Sequence, residues 1–101
     1  MITIIQGSTG AIDITTNIDD TATDLTSVQA KIYDTDKTAV LATYTVSDAQ
    51  LSKIGTGVYQ LIVDTSSTAL DLAVGRYYIE LLGVYSTYTY VDRAAFEVRF
   101  V

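Results

Sequence analysis

The sequence predicts an all-β fold, and three observations support that prediction. Apolar residues recur at every second position through most of the chain, which is the period of a half-buried strand, and helical spacing is almost nowhere present. Threonine and tyrosine, which fit the pleated surface of a sheet, are frequent, and eight residues are tyrosine. Turn signals separate the alternating runs, and no proline interrupts them.

The first two strands lie on either side of a glycine-containing turn. Ile2 and Ile4 begin a short strand, and residues 7–10, with the sequence Gly-Ser-Thr-Gly, predict the turn. A second run follows in which apolar or branched residues alternate with small and polar ones, at Ile12, Ile14, Thr16 and Ile18. This alternation predicts a second strand.

The middle of the chain predicts two more strands and a helical turn. After a polar loop at residues 19–24, a strand is predicted in which Val28, Ala30 and Ile32 share one face and the other face is exposed to solvent. Residues 34–37 predict a turn into a strand at residues 40–46. Residues 47–54 are polar and predict a helical turn that begins at Ser47 or Asp48.

The C-terminal half contains the same pattern twice, a glycine followed by a tyrosine that opens an alternating run. The two inward sets are Tyr59, Leu61, Val63 and Tyr77, Ile79, Leu81. Residues 66–72 predict a short helical turn between these strands. The last segment, residues 87–101, alternates at Phe96, Val98 and Phe100, and the interruption at Arg93-Ala94-Ala95 predicts a bulge or bend.

These elements predict one domain over residues 1–101, an antiparallel immunoglobulin-like β-sandwich of about seven to eight strands with one or two short helical turns. A closed barrel is the alternative. A chain of this length buries roughly 60 to 65% of its unfolded surface, which is enough for one core.

Composition argues against catalysis. The chain has no histidine and no cysteine, so the commonest general base, the commonest zinc ligand and all thiolate chemistry are missing. We therefore expect no catalytic, cofactor-binding or metal-binding residues and a protein that is not an enzyme. Serine and threonine nucleophiles have no partner base, and the glycine-containing turns lack a phosphate-loop lysine.

Charge and hydropathy limit the classes of partner that we expect the protein to bind. The net charge of −6 and the pI near 4.1 argue against nucleic acid as a partner. No apolar run approaches the roughly 20 residues that span a bilayer, and the first residues lack the basic region of a signal peptide. We expect a folded protein with no membrane partner that is not secreted by the classical route.

Two groups of acidic residues each allow two interpretations. The aspartates of two loops could offer oxygen ligands to Ca²⁺ or could be solvated turn carboxylates, and these residues are Asp19, Asp20, Asp24, Asp34 and Asp36. Glu80 and Glu97, the two glutamates, could form a glycosidase pair or could form cross-strand ion pairs with arginines. The solvated and ion-paired interpretations are favoured.

Tyrosines near the last hairpin predict an interaction surface. Tyrosine buries a large area with few rotatable bonds and keeps a hydroxyl for hydrogen bonding. Strand propensity alone is the competing explanation for exposed tyrosines. The predicted surface consists of Tyr78, Tyr85, Tyr88, Tyr90, Arg93 and Arg99.

The order of several short motifs resembles the small immunoglobulin-like sandwich domain of bacteriophage virion proteins, similar to the N-terminal domain of the baseplate upper protein family. One departure is the Asp/Thr-rich loop before Asp24, where that family often has an Asp-Gly turn. The resembling segments are Gln6-Gly7, Ile12-Asp13-Ile14, Asp24-Leu25-Thr26, residues 28–33, Gly57-Val58-Tyr59-Gln60-Leu61, residues 65–72, Gly75-Arg76-Tyr77-Tyr78-Ile79-Glu80-Leu81 and Phe96-Glu97-Val98.

The resemblance implies a virion structural or accessory protein, a capsid decoration or head-associated protein that docks on other virion proteins. It also implies a homo-oligomer that is made in the host cytoplasm and used in the virion. A tail or baseplate component and a host-surface carbohydrate-binding module are the alternatives. In the last of these the same tyrosines would stack on sugars.

Overall fold

The computed structural model describes residues 2–18, 21–65 and 72–100, and ten β-strands account for most of them. The predicted all-β class is confirmed. The strands are β1 Ile2–Ile5, β2 Thr9–Thr15, β3 Asn17–Ile18, β4 Thr21–Ala22, β5 Ser27–Tyr33, β6 Val40–Thr45, β7 Leu51–Gly55, β8 Val58–Asp64, β9 Gly75–Tyr85 and β10 Tyr88–Arg99.

The larger sheet has five strands in the order β1-β10-β9-β5-β6. The neighbours are antiparallel except at one edge, where β1 runs parallel to β10. The prediction of a purely antiparallel arrangement is therefore wrong at this edge. The parallel pairing is possible because β2, which follows β1, joins the other sheet instead of folding back on β1 as a hairpin.

The smaller sheet has three antiparallel strands in the order β2-β8-β7, and β3 and β4 form a short separate ribbon. Alternate residues of both sheets enter one buried cluster, so the two sheets form a sandwich-like arrangement around a single core. The predicted inward sets on β5, β8 and β9 are confirmed: Val28, Ala30, Ile32, Tyr59, Leu61, Val63, Tyr77, Ile79 and Leu81 are all buried.

Two buried threonines fix the two ends of the β2–β8 pair. At one end Thr16 donates its backbone N–H to Gly57 O at 2.7 Å, and its Oγ1 lies 2.5 Å from Thr23 O. At the other end Thr65 Oγ1 accepts a hydrogen bond from Gly7 N at 2.8 Å and donates to Ser8 O at 2.7 Å. Both hydroxyls satisfy backbone groups that the strands leave unpaired.

The loop before β5 is tied to the start of β8 through Gly57. The backbone N–H of Gly57 donates a hydrogen bond to Asp24 Oδ1 at 2.7 Å, and Asp24 Oδ2 lies 2.8 Å from Lys53 Nζ. Gly57 has a φ of 65°, and a Cβ there would lie 2.5 Å from the backbone nitrogen of Thr23. Glycine is required at this point on both grounds.

The structure corrects the predicted helical turn after β6. No helix is present among the described residues, and residues 46–50 form two consecutive turns. The carboxylate of Asp48 accepts a hydrogen bond from the backbone nitrogen of Thr45 at 2.8 Å, while Leu51 N donates to Asp48 O. The aspartate therefore stabilises a turn instead of capping a helix. The helical turn predicted at residues 66–72 lies outside the described residues except for Leu72.

The predicted bulge at residues 93–95 is also wrong. The β9–β10 ladder runs without a register shift from the Tyr88 and Tyr85 pair to the Val98 and Gly75 pair. Ala94 and Ala95 point to opposite faces of the sheet, and both are half-buried. Two adjacent alanines fit a regular strand because a methyl group is small enough for either face. Register shifts occur instead near Tyr33 and near Lys53.

Candidate interaction surfaces

The structure divides the six predicted interaction residues between two faces of the β9–β10 hairpin. Positions with the parity of buried Tyr77 and Phe96 face the core side, and these include Tyr85, Tyr88 and Tyr90. Positions of the other parity face outward from the five-stranded sheet, and these include Tyr78, Arg93 and Arg99. The sequence placed all six residues on one surface, and the strand register places them on two.

Tyr85, Tyr88 and Tyr90 form what we call the tyrosine hairpin face. Tyr88 lies opposite Tyr85 in the ladder, and their exposures are 72% and 39%. Tyr90 is half-buried and packs against the core. β9 and β10 have 11 and 12 residues, whereas β2 and β8 have seven each, and the three-stranded sheet leaves the tip of the hairpin uncovered.

A two-residue connection closes this hairpin. Ser86 adopts a φ of 54°, in the left-handed region that glycine favours. The short connection holds the first residue of β10 beside the last residue of β9, which places the rings of Tyr85 and Tyr88 at the same end of the molecule.

The outer face of the five-stranded sheet contains a concavity of about 490 Å³, which we call the groove. Tyr78 is paired in register with Tyr33 on one side and with Ala95 on the other. The small side chain of Ala95 leaves the space beside Tyr78 open. The groove is lined by Tyr33, Lys37, Tyr78, Ile79, Glu80, Arg93, Ala94 and Ala95.

A network of polar groups lies along the groove. Tyr33 donates its hydroxyl hydrogen to Glu80 Oε1 at 3.2 Å, and Arg93 Nε donates to Glu80 Oε2 at 3.1 Å. Burial raises the pKa of Tyr33, and the negative charge of Glu80 adds to the increase. Lys37 Nζ lies 4.4 Å from the centre of the Tyr78 ring, a cation–π distance.

Both glutamates form ion pairs with arginines, and the pair of Glu80 joins β9 to β10, as the favoured interpretation predicted. The pair of Glu97 lies within β10, so the predicted cross-strand geometry is wrong for this glutamate. Glu80 pairs with Arg93 and Glu97 pairs with Arg99, each at 3.1 Å. The glycosidase pair is therefore not supported by the positions of these side chains, since each carboxylate is held by a cation on an open sheet face.

Positive charge is concentrated on this outer face. Lys31, Arg76, Arg93 and Arg99 occupy outward strand positions, and Lys37 lies at the edge of the groove. These are five of the six basic residues of a chain whose net charge is −6. Glu80 and Glu97 lie on the same face, so these five cations and two carboxylates leave a net charge of +3, opposite in sign to that of the whole chain.

Two of the three candidate loop aspartates that the structure describes, Asp24 and Asp34, hydrogen-bond to the local backbone. Asp24 binds Lys53 and Gly57 N, and Asp34 accepts hydrogen bonds from Thr38 N and Ala39 N. Within residues 2–18, 21–65 and 72–100 no group of three acidic side chains could hold a metal ion. Asp19 and Asp20, the other candidates in the first loop, lie outside these residues. In the same ranges no helix is long and apolar enough to cross a membrane.

No protein-family model and no curated protein matches this sequence. The fold is similar to part of the X-ray structure of the endo-β-1,4-mannanase from Thermotoga petrophila, with a TM-score of 0.64 and 15% sequence identity. The similarity covers 99% of this chain and 18% of that chain. At this identity the similarity shows a shared fold and nothing about activity.

Proposed function

We propose that this protein is a non-catalytic structural or accessory protein of a bacteriophage particle, a capsid decoration or head-associated protein. It docks on other virion proteins through the tyrosine hairpin face. The observation that carries the proposal is the pair of exposed tyrosines, Tyr85 and Tyr88, at the uncovered end of the hairpin. The order of motifs in the sequence supplies the link to phage proteins.

We further infer that the sandwich is immunoglobulin-like. Two sheets with the orders β1-β10-β9-β5-β6 and β2-β8-β7 agree with the strand neighbours of that fold. A second feature supports the inference, because Tyr77, near the start of β9, donates its hydroxyl hydrogen to Ala73 O at 2.7 Å. Many immunoglobulin-like domains have such a tyrosine corner on the equivalent strand.

The end of the hairpin is suited to a protein partner because it is apolar on both sides. Val84 and Val91 lie on the outward face with exposures of 37% and 39%, behind the exposed tyrosines. Protein interfaces are enriched in tyrosine and are depleted in charge at their centre. The two-residue connection and the continuous β9–β10 ladder restrict the backbone of the hairpin before binding, which limits the conformational entropy lost on docking.

Binding to purified particles of the phage that encodes this protein would test the proposal. We expect the protein to co-sediment with the particles and the double variant Tyr85→Ser, Tyr88→Ser to remain in the supernatant. The matched control is Tyr78→Ser, which makes the same change on the opposite face of the sheet. Gold labelling of the bound protein would distinguish a head position from the alternative tail or baseplate position.

Two results would contradict the proposal. One is the absence of the protein from particles analysed by mass spectrometry, together with no co-sedimentation. The other is unchanged particle binding by the double variant, which would exclude the tyrosine hairpin face as the docking surface. The mass of the protein in solution would test the expected homo-oligomer independently.

A further inference from the structure

We propose that the groove on the outer face of the five-stranded sheet is a second binding site, which takes a pyranose sugar that bears a carboxylate. This inference goes beyond docking through the tyrosine hairpin face, and it uses the opposite side of the sheet. It depends on three properties of the groove: an aromatic floor, hydrogen-bonding groups of both kinds, and an excess of positive charge.

The aromatic floor is formed by Tyr33 and Tyr78, which are cross-strand partners on β5 and β9. Cross-strand partners have Cβ atoms about 4.5 to 5.5 Å apart, so two tyrosines at such positions present neighbouring rings. Both side chains are half-buried, which limits their movement. The apolar face of a pyranose ring packs on aromatic rings of this kind, and Ala95 leaves room for it.

The polar groups of the groove can serve a ligand with several hydroxyls. Glu80 accepts one hydrogen bond from Tyr33 and others from Arg93, and an ionised carboxylate has about four acceptor sites. The Tyr33 oxygen donates its hydrogen to Glu80 and still accepts. Arg93 and Lys37 offer donors. An apolar ligand would displace solvent from the remaining donor and acceptor sites of these groups and would not replace its hydrogen bonds, at a cost that a sugar avoids.

The charge of the groove favours an anionic sugar. Its charged lining residues are Lys37, Glu80 and Arg93, two cations and one anion. Glu80 is the partner of Arg93, whereas Lys37 forms no ion pair among the residues that the structure describes and rests over the Tyr78 ring. The lysine has a flexible four-carbon stem, so its ammonium can leave the Tyr78 ring to a stacked pyranose and pair with the carboxylate of that sugar. The groove volume of about 490 Å³ falls in the range of small-ligand sites.

Titration with two trisaccharides that differ in charge would test the site. The probes are trigalacturonate, which is acidic, and mannotriose, which is neutral, each followed by amide chemical shifts and by calorimetry. We expect trigalacturonate to shift the amides of Tyr33, Tyr78 and Arg93 and to bind at least about fivefold more tightly than mannotriose. Added salt should reduce this preference.

Three variants sharpen the test. Lys37 lies in an exposed turn, and the Lys37→Gln variant should lose the preference for the acidic probe. Tyr78→Ala should weaken the binding of both probes. Tyr88→Ala, a tyrosine change on the other face, should leave binding within twofold of the wild type. An unchanged amide spectrum outside the groove would confirm that each variant is folded.

Several outcomes would overturn the inference. One is that millimolar trigalacturonate leaves the amide chemical shifts of the groove residues unchanged. Another is that mannotriose and trigalacturonate bind with equal affinity. A third is that trigalacturonate still binds after both Lys37→Gln and Tyr78→Ala. Binding of a hexaglutamate peptide at the same affinity as trigalacturonate would also overturn it, because the site would then recognise charge alone. Particle binding by Lys37→Gln should be unchanged, so this test is independent of the proposed docking.

Discussion

The hydroxyl oxygen of Tyr59 accepts a hydrogen bond from the backbone N–H of Leu25 at 3.0 Å, although the two residues lie 34 positions apart. Both groups are buried. The bond ties the loop that enters β5 to the middle of the opposite sheet. Tyr59 therefore serves the core with its ring and the loop with its hydroxyl, a double role that no aliphatic residue could fill.

Replacing this tyrosine by phenylalanine should destabilise the protein. In Tyr59→Phe the ring stays in the core while Leu25 N–H is left buried without a partner, and we expect a loss of about 1 to 3 kcal/mol in the free energy of unfolding. Urea denaturation followed by circular dichroism measures it. Tyr88→Phe, at a side chain that is 72% exposed, is the matched control and should change stability by less than about 0.5 kcal/mol. Equal effects for the two variants would show that the bond to Leu25 contributes nothing.

Thr16 should be far more sensitive than its neighbour Thr15. Thr16 is fully buried and its hydroxyl lies within hydrogen-bond distance of Thr23 O and Gly57 O, whereas Thr15 is exposed. Valine has nearly the same shape as threonine, so Thr16→Val removes mainly the hydrogen bond, and we expect a loss of about 1 to 3 kcal/mol. Thr15→Val should be near neutral by the same denaturation measurement. A neutral Thr16→Val would mean that the carbonyl groups find other partners.

Asp24 should make stability depend on pH in the acid range. The hydrogen bond from Lys53 and that from Gly57 N lower the pKa of Asp24 in the folded state. A folded pKa below the unfolded value of about 3.9 means that the stabilisation is complete above pH 4 and is lost as the pH falls through the folded value. The stability difference between wild type and Asp24→Asn should therefore shrink on acidification below pH 4, as thermal melts at pH 7 and pH 3 would show. A constant difference between these pH values would contradict this account.

Ser86→Gly should stabilise the hairpin. Serine at a φ of 54° carries a steric cost that glycine does not, and relieving it should raise the free energy of unfolding by about 0.5 to 1 kcal/mol. Thr87→Gly is the control, because Thr87 is not in the left-handed region and its replacement should destabilise through backbone entropy. The opposite ranking of the two variants in thermal melts would show that the turn is not strained at Ser86.

The sequence predicted the elements in which alternation and burial coincide. β5, β8 and β9 each carry three or more strictly alternating buried residues, and their inward faces were predicted correctly. β7 was missed because it buries Leu51 alone, and its exposed remainder resembles a polar loop. The turn at Asp48 was mistaken for a helix start because the same side chain stabilises either structure.

The candidate surfaces were predictable only in part. The tyrosines and arginines of the last hairpin could be found from composition, but which face each one occupies follows from the register of β9 with β10. Tyr33 and Lys37, which complete the groove, lie far from Tyr78 in sequence and reach it only because β5 pairs with β9. No local pattern reports such a pairing, since it depends on how the sheet is assembled.

The pairing of β1 with β10 has a consequence for synthesis on the ribosome. Ile2 pairs with Phe96, so β1 leaves the exit tunnel well before β10, the strand with which it forms its ladder. Pairings between segments so distant along a chain form slowly, because the long loop between them must close first. While the residues between the two strands are translated, the nascent chain therefore exposes β1 as an unpaired apolar strand, which chaperones or neighbouring nascent chains can bind.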